Sequence, residues 1–160
     1  MKDNKSMPMS MHKMDLKMLL GMSVLHFFAM YILMYSMVDR MEHVLPNLNQ
    51  IYMAGLMTAP MIILEVIIMR SMYTKDAIKN GLIIGTAIFI LFFIGIRSQT
   101  AINNEEFLRS MIPHHSGAIL MCQKAKITDP AIKKLCQDII KNQELEIKIM
   151  KDQLTELDNK

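Results

Sequence analysis

Two adjacent histidines, His114 and His115, sit among sulfur atoms at Met111, Met121 and Cys122. On a helix, residues three and four apart share a face. Met111 therefore shares a face with both histidines, and His115 leads through Ala118 and Ile119 to Cys122. Imidazole and thioether are soft, neutral ligands. Together they suit Cu(I) or a similarly soft ion better than Mg or Ca. The plainer reading is a helix whose core face happens to hold His and Met. Methionine is a flexible core filler, and this chain has 19 of them in 160 residues, so Met alone decides nothing. The histidine pair beside sulfur carries the metal reading.

The elements that must hold this stretch follow from how the composition is segregated. The chain is 52% hydrophobic and 21% charged, and the two kinds of residue occupy different parts. Residues 98–160 hold nine Lys/Arg and nine Asp/Glu, whereas residues 1–97 hold nine basic and six acidic groups and supply the net charge of +3. The basic residues are scattered and aromatics are few, so a nucleic-acid surface is not expected. Residues 1–17 form a polar tail with Met7, Met9, Met11, His12 and Met14. Its spacing resembles that of methionine-rich copper-handling segments, but a general Met bias explains it as well.

Residues 18–97 read as a membrane domain. Three apolar runs, 18–38, 51–69 and 80–96, are long enough to be spanning helices. Backbone groups in lipid must be satisfied internally, which favours helices for runs of this length. The first run is too long for a signal-peptide core. His26 and Glu65 are ionisable groups within the spans. Such groups usually face protein or water, so they are a candidate pair; a snorkelling or protonated Glu65 and a core His26 satisfied elsewhere fit the sequence equally well. The N-terminal tail carries four Lys, the first loop only Arg40, and the second loop Arg70, Lys75 and Lys79. By the positive-inside rule the N-terminus is cytoplasmic and residues 98–160 lie outside. The expected location is a bacterial inner membrane, in contact with lipid, with the C-terminal domain on its outer face.

Residues 98–160 read as a helical hairpin. No Pro or Gly separates the third span from the histidine helix, so one helix is expected to run through 97–102, with Pro113 kinking, ending or starting a helix near Ile112. The first polar helix is expected to end near Ile127. Thr128-Asp129-Pro130 reads as turn, N-cap and first helical residue. The second helix then runs to about Leu157, with Gln143 and Glu146 interrupting its apolar stripe. So short a connection makes the helices antiparallel neighbours. Residues equidistant from the turn lie level, which places His115 opposite Gln143, Met111 opposite Ile147, Leu108 opposite Met150, and Cys122 opposite Cys136. Three readings fit the cysteines: a disulfide, plain core thiols, or a second soft-metal pair. Two helices make a poor core alone. Self-association of two copies into a four-helix bundle is expected to complete it.

The pattern F-x3-M-I-P-H-H-x2-A-x2-M, followed by Gln143-x2-Glu146-Ile147-x2-Met150, resembles the domain-of-unknown-function 305 family over about residues 103–157. That resemblance implies a small ferritin-like helical bundle and copper or silver binding through His and Met. Matched residue by residue, it implies Met111, His114, His115, Met121 and Met150 as metal ligands. Many members carry an Asp shortly before the Phe. Here Asn103, Asn104, Glu105 and Glu106 stand there, so the acidic group is supplied by Glu105 or lost.

The fold expected is all-α: three transmembrane helices and an antiparallel hairpin. The function expected is membrane-anchored binding of Cu(I) or silver for tolerance or delivery. The alternative is a structural or assembly protein whose tail dimerises without metal. No Ser-His-Asp order, His-Glu-x2-His or paired Glu-x2-His set is legible, so no enzyme is expected.

Overall fold

Why each helix starts and stops is visible at its caps. The computed structural model describes residues 16–159; the tail methionines from Met7 to Met14 lie outside the described residues. Among the described residues every regular element is helical. The helices are α1 (Leu16–Leu33), α2 (Leu48–Ile68), α3 (Lys75–Ser98), α4 (Asn104–Lys124) and α5 (Pro130–Asp158), with 3₁₀ turns at Met34–Met37 and Met41–His43. Asn47 caps α2 by accepting from Gln50 N at 2.9 Å, and Thr74 caps α3 by accepting from Ala77 N. Asn103 accepts from Glu106 N at the start of α4. Asp129 accepts from Ala131 N and Ile132 N at the start of α5, with Pro130 in the first turn. Each cap satisfies amides that have no partner within their own helix.

Three helices are long and apolar enough to cross a membrane: Leu16–Met37, Leu48–Ile68 and Lys75–Ser98. They pack closely because small residues face their neighbours. A Cβ added at Gly55 would lie 2.4 Å from the Phe92 ring, and one at Gly81 would lie 2.8 Å from Leu19. Ser23 and Thr58 donate back to Leu19 O and Ala54 O, so their hydroxyls are satisfied inside their own helices. Glu65 is buried, and its partner is Tyr73, whose hydroxyl donates to Oε1. His26 was one candidate partner; the turn after α2 folds Tyr73 back and supplies the donor.

The hairpin begins with a break that the sequence did not signal. The helix does not run through 97–102. Gln99 (φ 50°) and Ala101 (φ 59°) are left-handed, a conformation costly for residues with a Cβ. Gln99 ends α3, its N–H bonding to Gly95 O. Its side chain is held by Asn49 and by Ile96 O, and Tyr52 donates to Thr100 O. These contacts offset the strain. Pro113 lies inside α4, which continues to Lys124, so the proline neither ends nor starts the helix. It only removes the amide that would have bonded the Arg109 carbonyl.

Helices α4 and α5 pair antiparallel around a core of Leu108, Ile112, Ile119, Ile147 and Met150. Cys122 and Cys136 form a disulfide, with Cα atoms 5.2 Å apart. The expected register is therefore observed: Leu108 and Met150 share one cluster, and the cysteines are level. The hairpin is not left to cover its apolar face alone. Leu45, from the loop between α1 and α2, packs on that core. Leu135, Leu145 and Ile149 on the outer side of α5 stay exposed.

Candidate functional site

The hairpin is held against one end of the three apolar helices by a buried polar cluster. Asp39 and His43 come from the first loop and Ser116 from α4. His43 Nδ1 lies 2.7 Å from Asp39 Oδ1. Ser116 donates its hydroxyl to the same oxygen at 2.5 Å, and accepts from the Asp39 amide at 2.8 Å. The side chains of Asp39 and His43 are 2% and 4% exposed, and Ser116 is fully buried. Burial alone would raise the Asp39 carboxyl. The hydrogen bonds from Ser116 and His43, with the charges of His43 and Arg40 nearby, outweigh it and hold the carboxyl below its ordinary value. Three residue types of a nucleophile triad are present, but not in its geometry. Ser116 donates to the carboxylate, meets Nδ1 of the histidine and not Nε2, and is fully buried, so its hydroxyl is closed to a substrate. The cluster is a clasp.

Polar contacts surround the clasp. Arg40 reaches Glu144 at 3.2 Å, and Lys151 reaches Glu42 at 3.4 Å. Glu106 accepts from the Leu48 amide at 2.7 Å, so α4 supplies an anion to the N-terminus of α2. Glu105, the candidate replacement for the family's acidic residue, pairs with Arg109 at 2.8 Å. Both acidic residues at this position thus hold structure together.

The histidine pair is divided by helix geometry. Successive residues on a helix point about 100° apart. The two rings have centroids 6.1 Å apart and planes at 59°. His115 turns toward α5, where Nδ1 lies 3.0 Å from Glu146 Oε2. That approach is close but misaligned, so the buried Nδ1 has no well-formed hydrogen bond. Burial pushes the His115 pKa below its usual value, the Glu146 carboxylate opposing and His114 adding to the fall. Gln143 donates to Glu146 rather than to a histidine. The polar gap on α5 therefore meets His115, as the register implied.

His114 turns the other way. It lines a cleft of about 630 Å³ between the hairpin and the membrane helices. Met111 and Met121 from α4 line it too, and Pro113 and Gly117 form the floor between them. Positions 111, 114, 118 and 121 make one stripe of α4. Opposite stand Met34 and Met37 from the 3₁₀ turn and Met53 from α2. Asn47, Asn49, Gln50 and Gln99 add amides, and no charged side chain lines the cleft. Of the five ligand candidates, the structure gathers Met111, His114 and Met121 at this cleft. It places His115 on the α5 side and buries Met150 in the hairpin core. The membrane-side methionines were missed because they sit inside an apolar run. Their signal was the proximity of Met34 and Met37, three residues apart.

The donor set of the cleft is thioether and imidazole. Among the described residues no group of three or more His, Cys, Asp or Glu is placed to hold a metal. No carboxylate lines the cleft, and hard divalent ions prefer such oxygen ligands.

The fold is a bundle of three long apolar helices that carries a helical hairpin at one end. Residues 96–154 match the family described as "Domain of unknown function (DUF305)". The chain is also 40% identical over 112 residues to "Uncharacterized protein L153" of Acanthamoeba polyphaga mimivirus, covering 69% of this chain and 72% of that protein. The chain belongs to this family. No solved structure matches it.

Proposed function

We propose that the protein is a membrane-anchored binder of soft monovalent metal ions, Cu(I) or Ag(I). The observation that carries the reading is that Met111, His114 and Met121 share one face of α4 and line one neutral cleft. The plainer alternative, a helix with His and Met in its core, accounts for Met111, which also packs on the hairpin core, but not for His114 and Met121. His114 is exposed and Met121 is 54% exposed, so these side chains are not packed away. His115 faces Glu146 on α5 and is outside the cleft. Replacing both histidines by Ala should abolish saturable Ag(I) binding by the full-length protein while leaving helicity unchanged. His114→Ala alone should account for most of the loss, weakening binding at least tenfold in calorimetric titration. A double variant that binds as the parent does would sink the proposal. In that case the rival reading, a metal-free assembly protein pairing through Leu135, Leu145 and Ile149, would take its place.

The hairpin lies outside the cytoplasm in this reading. Support comes from the Lys/Arg distribution and from the disulfide, which an oxidising compartment favours. Three spans put the first loop and the hairpin on one side, and the clasp requires that arrangement. A reporter active only outside the cytoplasm, fused after Lys160, should be active. Activity of a cytoplasm-only reporter at the same place would overturn the topology.

A further inference from the structure

We infer that Met34, Met37 and Met53 of the membrane helices complete the soft-ion site begun by Met111, His114 and Met121. The ion would then be held at the seam between the two parts and not by the hairpin alone. This rests on the soft-metal reading above and names the ligands that finish the site.

The composition of the cleft is the first argument. Five of its sixteen lining residues are methionine, against 19 of 160 in the whole chain. A general Met bias would place about two there. The excess is concentrated where the only lining histidine stands.

Local geometry is the second argument. The first span is α-helical to Leu33 and tightens to a 3₁₀ turn over Met34–Met37. In a 3₁₀ turn, residues i and i+3 eclipse. Met34 and Met37 are therefore stacked on one side, and both line the cleft. An α-helix would have rotated them about 60° apart. On α2, Asn49, Gln50 and Met53 occupy one face by the same spacing rule as the α4 stripe. Three separate elements thus place methionines around one space.

Chemistry and access are the third argument. A thioether is a weak, uncharged ligand, so several must converge to hold an ion, and Cu(I) and Ag(I) are the ions that accept them. The remaining polar groups are neutral amides, and no Lys or Arg lines the space to repel a cation. His114 is exposed at the rim, which gives an ion a way in. The clasp stands behind the cleft, since Val38 and Gly117 in its wall are the chain neighbours of Asp39 and Ser116. Docking and ion binding therefore share one piece of structure.

The test uses the full-length protein in detergent with its disulfide intact. Ag(I) is the probe, because it needs no reductant that would open the disulfide. Tail residues Met7, Met9, Met11 and Met14 are first changed to Leu, so that their thioethers do not compete with the cleft for the ion. In this background Met34→Leu, Met37→Leu and Met53→Leu together should weaken Ag(I) binding at least tenfold by calorimetry. Leucine keeps volume and apolarity, so packing changes little, and circular dichroism checks the fold. X-ray absorption at the silver edge should count three or more sulfur neighbours before the change and at most two after it. If the triple variant binds like its parent while His114→Ala weakens binding, the membrane methionines are not ligands, and the hairpin site stands without them. If the parent itself shows no saturable Ag(I) binding, both readings fall. Should the triple variant fail to fold, the sulfur count of the parent decides. Three or more supports the composite site, and two or fewer overturns it.

Discussion

Asp39→Ala should release the hairpin from the membrane helices. The carboxylate accepts from both Ser116 and His43 and is almost wholly covered. Removing it leaves a hydroxyl and an imidazole buried without their common acceptor. Truncating one partner of such a cluster costs about 3–5 kcal/mol. The cover over Asp39 is a single loop, so water re-enters easily and the lower figure, about 3 kcal/mol, is the one to expect. That is about two orders of magnitude in the docking equilibrium. Amide exchange should accelerate by this factor in residues 39–47 and along α4 near Ser116, while α2 and α3 remain protected. Asp39→Asn keeps an acceptor oxygen and should do less harm. Unchanged exchange in the alanine variant would show that the clasp does not hold the seam.

The pH dependence follows from the same carboxyl. Its docked pKa is below the ordinary value, so the docked state favours the ionised form. The contribution is fully present above the free value of about 3.9 and fades as pH falls through the lower docked value. Docking should therefore not change with pH through Asp39 near neutrality, where the carboxylate stays ionised, and should loosen only in strong acid. In Asp39→Asn that acid transition should be absent.

How far sequence reaches depends on the distance over which a feature is encoded. The three spans are written locally, as apolar runs, and their helices appear within a few residues of the expected ends. The third is longer than its run because Thr74 caps it early, at a residue hydropathy does not weigh. The hairpin register was legible because a short capped turn leaves one antiparallel arrangement, and Cys122 and Cys136 meet there. The break at 99–103 was not legible. Gln99 and Ala101 take left-handed angles with no glycine to announce them, held by contacts from Asn49 and Tyr52 about 50 residues away. The clasp was hidden for the same reason, since Asp39 and Ser116 stand 77 positions apart. The candidate ligands were partly legible. Spacing put Met111, His114 and Met121 on one stripe, but adjacency in sequence made His114 and His115 look like one site. A rotation of about 100° per residue sends them to opposite neighbours.

Loss of the disulfide is the second large effect to expect. The bridge joins the last turn of α4 to the second turn of α5 and closes a loop with a sequence separation of 14. In the chain-entropy account a loop of about 15 residues is worth about 3 kcal/mol. Cys122→Ser with Cys136→Ser should lower the melting temperature of the hairpin by on the order of 10 °C. The loosening should centre on the turn, residues 120–135, and spare the clasp, which lies two turns back along α4. Reduction of the parent should reproduce the effect. It would also free two thiols, and thiolates are stronger soft ligands than thioethers. A reduced chain should therefore bind Ag(I) more tightly, at the turn and not at the cleft, and only the serine variant separates stability from this new site. Mass spectrometry of unreduced, alkylated protein from its native membrane provides the direct check. No alkylated cysteine is expected, and two would mean that the hairpin is held by packing alone.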